Sequence, residues 1–246
     1  ATLNEHGGEK NIAVGWHAIE FLLWGQDFSA EGPGRRSHED YLPAQDPNAR
    51  RRAEYLRLTS ELLVSHLAQV RSAWAPSDSA PPQANYRQAF EAAPTPASLK
   101  KILTGMTVLS GFEMSGERLA VAYETRDQEE EHSCFSDTTH FDLEANQLGL
   151  IAIFRGSKAD GCGPGLIALA QAVRPELAAE LDQQLDTGLA ALRAIPAPFD
   201  QAILGDDTRP GRRAVWAAIQ ALEAQSEMLA QLALELGFQV PIRPAK

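Results

Sequence analysis

The stretch ARRRAEYLRLTSELLVSHLAQVRSAW, Ala49 to Trp74, sets the reading of the fold. Its apolar positions are Tyr55, Leu56, Leu58, Leu62, Leu63, Leu67, Val70 and Trp74. They recur at three and four, the period that lines one side of an α-helix. The prolines of APSDSAPPQA (75–84) then break the pattern. A second stripe, Leu99, Ile102, Leu103, Met106, Leu109 and Phe112, has Thr95 or Ser98 as its N-cap and is expected to run to about Tyr123. HFDLEANQLGLIAIFRG reads as a helix ending at Gly156, and Leu166 to about Val173 with Pro175 to Ile195 as a helical pair. Arg212 to Gly237 reads as a long helix with Trp216, Ile219, Leu222, Leu229, Leu232 and Leu236 on its apolar side, and Gly237 as its cap. No run of alternating strands appears. The expected fold is all-α, antiparallel helices in bundles.

The chain of 246 residues is long enough for one large or two smaller cores. Its formal net charge is -11, with 22 basic against 33 acidic residues, and Arg50, Arg51 and Arg52 form the only dense basic cluster. A nucleic-acid partner needs a broader basic surface, so that class is set aside. No apolar run reaches the roughly 18 residues of a membrane-spanning helix. The chain begins Ala-Thr-Leu-Asn rather than with Met, and its start is read as a processed or proteolytic end. Cys134 and Cys162 are compatible with one disulfide and an oxidising compartment without establishing either; they lack the C-x-x-C spacing of a zinc knuckle.

Residues 28–48, FSAEGPGRRSHEDYLPAQDPN, form a long connector inside a helical chain. Ordered loops of that length often frame a site. The connector divides a signature helix and connector (1–48), read as the remainder of an N-terminal bundle, from a C-terminal helical bundle (49–246).

The signature helix lies in GWHAIEFLLWGQD, Gly15 to Asp27. It is apolar nearly all round, which predicts burial, yet it carries His17 and Glu20. Residues three apart lie about 60° from one another on a helix and project together. Imidazole and carboxylate suit zinc or iron, or work as a base and its orienting partner. The bland reading is a hydrogen-bonded core pair. Spacing alone is weak, because HGGE at His6 to Glu9 repeats it in a poor helical context.

Further candidates lie in SCFSDTTHFD, Ser133 to Asp142. There Asp137 or His140 is a candidate third ligand and Ser136 an orienting group. The competing reading is a helix N-cap cluster, since Ser, Asp and Thr satisfy free amides. Glu113 and Glu117 share a helix face, with Arg118 beside Glu117; Glu113 is a further candidate ligand, and an exposed acidic pair is the alternative. The acidic run TRDQEEEHS reads as a solvated surface loop. GCGPG (161–165) lacks the Lys and Ser/Thr of a phosphate loop. Ser136 shows no His-Asp pair of the serine-hydrolase type.

Taken together, GWHAIE, its continuation FLLWGQD, the upstream LNEHGGEKNIAVG and the later GFEMSGERLA, EEEHSCFSDTTH and GCGPGL resemble the imelysins, a family with a Gly-x-His-x-x-Glu signature. The resemblance spans essentially the whole chain. It implies an all-helical protein of two bundle-like domains with the signature helix near their interface. It also implies export to the bacterial periplasm or outer membrane, often as a lipoprotein. The family is classed with metallopeptidases and linked to iron uptake, so a peptide substrate or iron-uptake components are the implied partners. Full-length members usually carry a further helical segment before the signature, where only Ala1 to Val14 stand here, so site residues preceding Ala1 are expected. Members often have Arg where this chain has Phe141, which puts anion binding there in doubt.

Three functions stay open on this reading. One is a metallopeptidase whose site includes His17, Glu20, Ser136 and Asp137. A second is a non-catalytic metal-binding protein of iron uptake on the same His17, Glu20 and acidic groups; in either the metal ligands are His17 and Glu20, completed by Asp137, His140 or residues preceding Ala1, with Glu113 as a further candidate. The third is a helical interaction module with structural polar residues. The metal is zinc or iron.

Overall fold

A computed structural model describes residues 13–76, 85–156 and 163–241. Among them there are helices and turns and no β-strand, as the all-α reading requires. The chain divides into two compact units, Ala1–Pro94 and Thr95–Lys246. The division falls later than the 48/49 boundary drawn from the connector, because the long helix that follows the connector packs on the signature helix.

The first unit holds α1 (Trp16–Trp24), a short 3-10 turn (His38–Tyr41), α2 (Ala49–Ala73) and α3 (Tyr86–Ala92). The last carbonyls of a helix have no intrahelical partner. The connector supplies them for α1. Gly25 N bonds Phe21 O at 2.8 Å and Arg36 N bonds Trp24 O at 2.7 Å. Arg36 Nη2 donates to Phe21 O at 3.3 Å, and the Tyr41 hydroxyl donates to Leu22 O. A guanidinium also complements the negative end of the helix dipole. Gly34 permits this return, since a Cβ there would fall 2.7 Å from Trp24 O. Burial pushes the Tyr41 phenol up, while Arg36 and Arg52 oppose the shift.

Contrary to its expected burial, α1 leaves Trp16, Leu23 and Trp24 exposed and buries Glu20 and Leu22. A nine-residue helix packed on α2 hides one narrow face. The stripe that decided the fold behaves similarly: its Tyr55, Leu58, Leu67 and Val70 are exposed, and the buried residues of α2 are Ala49 and Thr59. At the far end of α2, Trp74 packs edge-on to Tyr86 (5.0 Å) and against Phe90 (5.7 Å). Asn85 and Gln88 close α3 with a capping box.

The second unit contains the large apolar core. It comprises α4 (Thr95–Val108), a π-helical segment (Leu109–Ala120), α5 (Val121–Thr125), α6 (Thr139–Arg155), α7 (Gly165–Val173), α8 (Pro175–Arg193), α9 (Phe199–Ala202) and α10 (Pro210–Glu235). Leu103, Met114, Leu143, Phe154, Leu181 and Leu222 are among its fully buried side chains. The helix expected over 95–123 is continuous but changes winding at Leu109. A π-turn repeats at i,i+5, and that period shows in the charges. Arg118 lies 3.8 Å from Glu113, five residues away, rather than pairing with Glu117. On an α-helix those two positions would stand about 140° apart. Gly156 and Gly165 explain the glycines around the GCGPG loop: both have positive φ, and a Cβ on either would collide with the backbone of the other's segment. Cys162 lies outside the described residues, and with it the proposed disulfide.

The core is crossed by a polar chain. Gln147 Nε2 donates to Leu185 O (2.8 Å) and Gln225 Oε1 (2.6 Å). Gln225 Nε2 donates to Ser110 Oγ (2.9 Å), whose hydroxyl donates to Leu222 O (2.8 Å). Gln147, Gln225 and Ser110 are fully buried. Gly188 leaves room for the amides, since a Cβ there would sit 3.0 Å from Gln147 Nε2. Removing one member strands buried partners. Gln225→Leu is expected to lower unfolding stability by about 2–3 kcal/mol in chemical denaturation; a loss under about 0.5 kcal/mol would show that the chain of amides is dispensable.

Candidate functional site

His17 and Glu20 do project together from α1. His17 Nδ1 lies 2.7 Å from Glu20 Oε2. The His17 side chain is half exposed and that of Glu20 is buried. Binding Nδ1 to a carboxylate orients the ring and fixes which nitrogen carries the proton. The pair is therefore arranged as an imidazole with its carboxylate orienter, with Nε2 as the ring's other donor or acceptor atom. Both residues belong to the first unit.

The second unit gathers a different set. Glu131, Asp137 and Asp200 each contribute a carboxylate oxygen, and these oxygens lie within 4.8 Å of one another. All three residues are buried, at 4, 7 and 4 % exposure. Glu131 follows a 3-10 turn, Gln128–Glu130, that leads out of α5. Asp137 sits in the turn before α6 with φ 53, a left-handed conformation that Asp tolerates better than most residues. Asp200 is on α9, flanked by Phe199 and Ala202, both buried in the core.

Sequence reasoning named Asp137 and missed its two neighbours. Glu131 is the third acid of EEE, in a run read as solvated; Glu129 and Glu130 are exposed as expected, but Glu131 turns inward. Asp200 ends PAPFD, read simply as a break. The available clues were the proximity of Glu131 to SCFSDTTH and the apolar Phe199 that anchors Asp200.

The residues between Glu131 and α6 fold over themselves rather than capping the helix in the expected way. Thr138 holds the N-cap position without a side-chain cap bond. Its hydroxyl pairs instead with Ser136 Oγ at 2.8 Å. Ser133 N donates to Thr139 Oγ1 (2.9 Å), and Ser133 Oγ donates to Asp142 Oδ2 (2.5 Å). Ser136 is thus part of the hydroxyl scaffold beside Asp137. His140 is outside the carboxylate group; its ring lies against Phe141, centroids 4.1 Å apart. Glu113, beside Arg118, is also outside it.

Charge decides what the group can do. Two carboxylates about 5 Å apart repel by about 3 kcal/mol at an effective dielectric of 20. Burial adds a desolvation cost to each ionised oxygen. Asp200 Oδ2 accepts from Gln201 Nε2 at 2.5 Å, whereas Oδ1 is buried and has no hydrogen-bond donor among the described residues. A divalent cation would convert the repulsion into coordination. An all-oxygen set suits a hard ion better than a thiolate-loving one. The residues present fit a metal.

The family model described as Imelysin matches residues 1–229. Iron-regulated protein A of Synechococcus elongatus is 33% identical over 125 residues, half of this chain and 34% of that protein. This chain thus aligns with about a third of that relative's length. A solved structure from Parabacteroides distasonis, described as a candidate iron-regulated protein A precursor, superposes with a TM-score of 0.69 at 18% identity. The match covers 94% of this chain and 67% of that one, and at that identity the likeness is one of fold.

Proposed function

The chain belongs to the imelysin family, and on that premise we propose that it is an exported metal-binding protein of bacterial iron handling. Glu131, Asp137 and Asp200 would hold one divalent cation, iron being the first candidate. The observation that carries this reading is the burial of three carboxylates with oxygens within 4.8 Å. Three carboxylate oxygens brought this close form the all-oxygen donor set that suits a hard divalent cation. The names of the two relatives speak of regulation by iron; iron as the ligand is our inference. Export to the periplasm or outer membrane and contact with iron-uptake components are part of the same proposal. No helix among the described residues is long and apolar enough to cross a membrane.

A second reading, metallopeptidase, is favoured by the His17–Glu20 pair, whose 2.7 Å bond prepares an imidazole to take a proton or a metal through Nε2. A bound metal would supply Lewis acidity and an activated water. His17 would then hold or move a proton, with Glu20 orienting it.

Calorimetric titration with Fe(II) under anaerobic conditions, Mn(II) and Zn(II) separates these readings. The proposal expects saturable binding that survives His17→Ala. Binding abolished by His17→Ala would move the metal to the signature helix and reject the carboxylate site. No saturable binding of any of the three ions would overturn the metal reading outright. Metal-loaded protein that cleaves no member of a peptide library would reject the peptidase form.

A further inference from the structure

We propose that the cavity at the C-terminal end of α1 binds a monocarboxylate that carries an apolar or aromatic body. This site lies wholly in the first unit and does not depend on the metal reading. The cavity has a volume of about 440 Å³, within the range of small-ligand sites. The end of α1 and the returning connector line it.

Two arginines supply its cationic wall. Arg36 is held in place: its Nη1 donates to Asp40 Oδ2 at 3.1 Å, its Nη2 to Phe21 O at 3.3 Å, and the guanidinium lies 5.2 Å from the Phe21 ring centre. Its Nε is buried and has no acceptor among the described residues. The bonds of Nη1 and Nη2 fix the guanidinium as a charged wall of the cavity. The neighbouring Arg35 is exposed and makes no hydrogen bond or ion pair among the described residues. Guanidinium N–H groups match a planar carboxylate in both charge and geometry.

The remaining wall narrows the ligand class. Asp27 and Asp40 line the same cavity, so its formal charge sums to zero. Asp40 is engaged by Arg36, and Asp27 Oδ1 accepts from Ser29 N at 2.9 Å. Two nearby carboxylates disfavour a phosphate dianion more than a monoanion. Trp24, Phe28 and Pro33 provide an apolar side. Phe28 is 91% exposed, so a ligand body laid against it would remove a large apolar surface from water. The ligand is therefore a small aromatic or aliphatic acid, or the C-terminal residue of a peptide. These share one chemistry, a free carboxylate beside an apolar group.

Titration of the intact chain with N-acetylphenylalanine, its carboxamide, a pentapeptide ending in free phenylalanine, and inorganic phosphate tests the proposal. The acid is expected to bind saturably, with the amide and phosphate at least about tenfold weaker. Arg35→Ala, at an exposed position, should cost the acid at least about tenfold, and Phe28→Ala should weaken it with unchanged far-ultraviolet circular dichroism. Tighter binding of the peptide than of the free acid would support a peptide-end site; the reverse would support a small-acid site. Equal binding of acid and amide, no effect of Arg35→Ala, or no saturation at about 10 mM acid would overturn the proposal.

Discussion

Replacing Asp200 by asparagine is expected to weaken metal binding by at least about a hundredfold while leaving the metal-free protein no less stable. The substitution keeps the volume and one acceptor oxygen but removes a charge. In the metal-loaded protein that charge is a ligand. In the metal-free protein it is one of three carboxylates held within 4.8 Å of each other. Two like charges at that separation repel by about 3 kcal/mol at an effective dielectric of 20. The same substitution therefore acts in opposite directions on the two forms. A saturating cation at a hundred times its dissociation constant should stabilise the native chain by about 2.7 kcal/mol. For a chain of this size that corresponds to a rise of roughly 5–10 °C in the melting temperature. Asp200→Asn should lose the rise and keep or exceed the metal-free melting temperature. Metal affinity equal to that of the native chain would remove Asp200 from the site. A metal-free variant that melts well below the native chain would show that the carboxylate is held by structural donors rather than crowded by its neighbours.

How legible these features were depends on the range of the interactions behind them. Helices are local, and the 3.6-residue period placed α6, α8 and α10 within a few residues of their observed ends, with Gly156 closing α6. Burial is not local. The apolar circumference of α1 predicted a hidden helix, but only tertiary packing decides which side is covered, and Leu23 and Trp24 remain exposed. The change of winding at Leu109 was invisible for a related reason. It brings Ser110 and Ser115 onto the carbonyls of Leu222 and Ile219, partners more than a hundred residues away.

The candidate sites divide the same way. His17 and Glu20 sit three apart on one helix, so their 2.7 Å contact followed from spacing. Glu131 and Asp200 are 69 positions apart in the chain and meet only because the turn before α6 and the short α9 are packed together. A charge run such as TRDQEEEHS is usually solvated. Only its place next to SCFSDTTH sets Glu131 apart from Glu129 and Glu130 in the local sequence. Asp137 was accessible because it stood in a crowded polar segment, although the expected capping role fell to neither its side chain nor that of Thr138.

The largest expected loss of stability comes from Arg212, through which α9 and its Asp200 are tied to the core. The Arg212 side chain is 3% exposed. Its Nε and Nη2 donate to Asp207 Oδ1 at 2.9 and 2.7 Å, and its Nη1 donates to Tyr123 O (2.8 Å) and Ile203 O (2.7 Å). The guanidinium also lies 3.7 Å from the centre of the Tyr123 ring. One cation thus joins α5, the end of α9 and the start of α10. Arg212→Ala strands two carbonyls and opens a gap, and a loss of about 3–5 kcal/mol is expected in chemical denaturation. A loss under about 1 kcal/mol would show that the two carbonyls find other donors. Arg212→Lys should recover part of the loss, because a single ammonium cannot reproduce the fork.

The partner carboxylate adds a pH signature. Hydrogen bonding from Arg212, and secondarily from the Tyr123 hydroxyl, holds Asp207 below the usual carboxylate range. A carboxylate whose pKa falls on folding contributes stability above its unfolded value, about 3.9, and loses that contribution as pH drops through the lower folded value. The stability difference between the native chain and Asp207→Asn should therefore be constant at neutral pH and shrink on acidification below about pH 4. A difference that persists unchanged to about pH 2 would mean that Asp207 acts through packing or neutral hydrogen bonds, leaving the two carbonyls as the groups that hold Arg212.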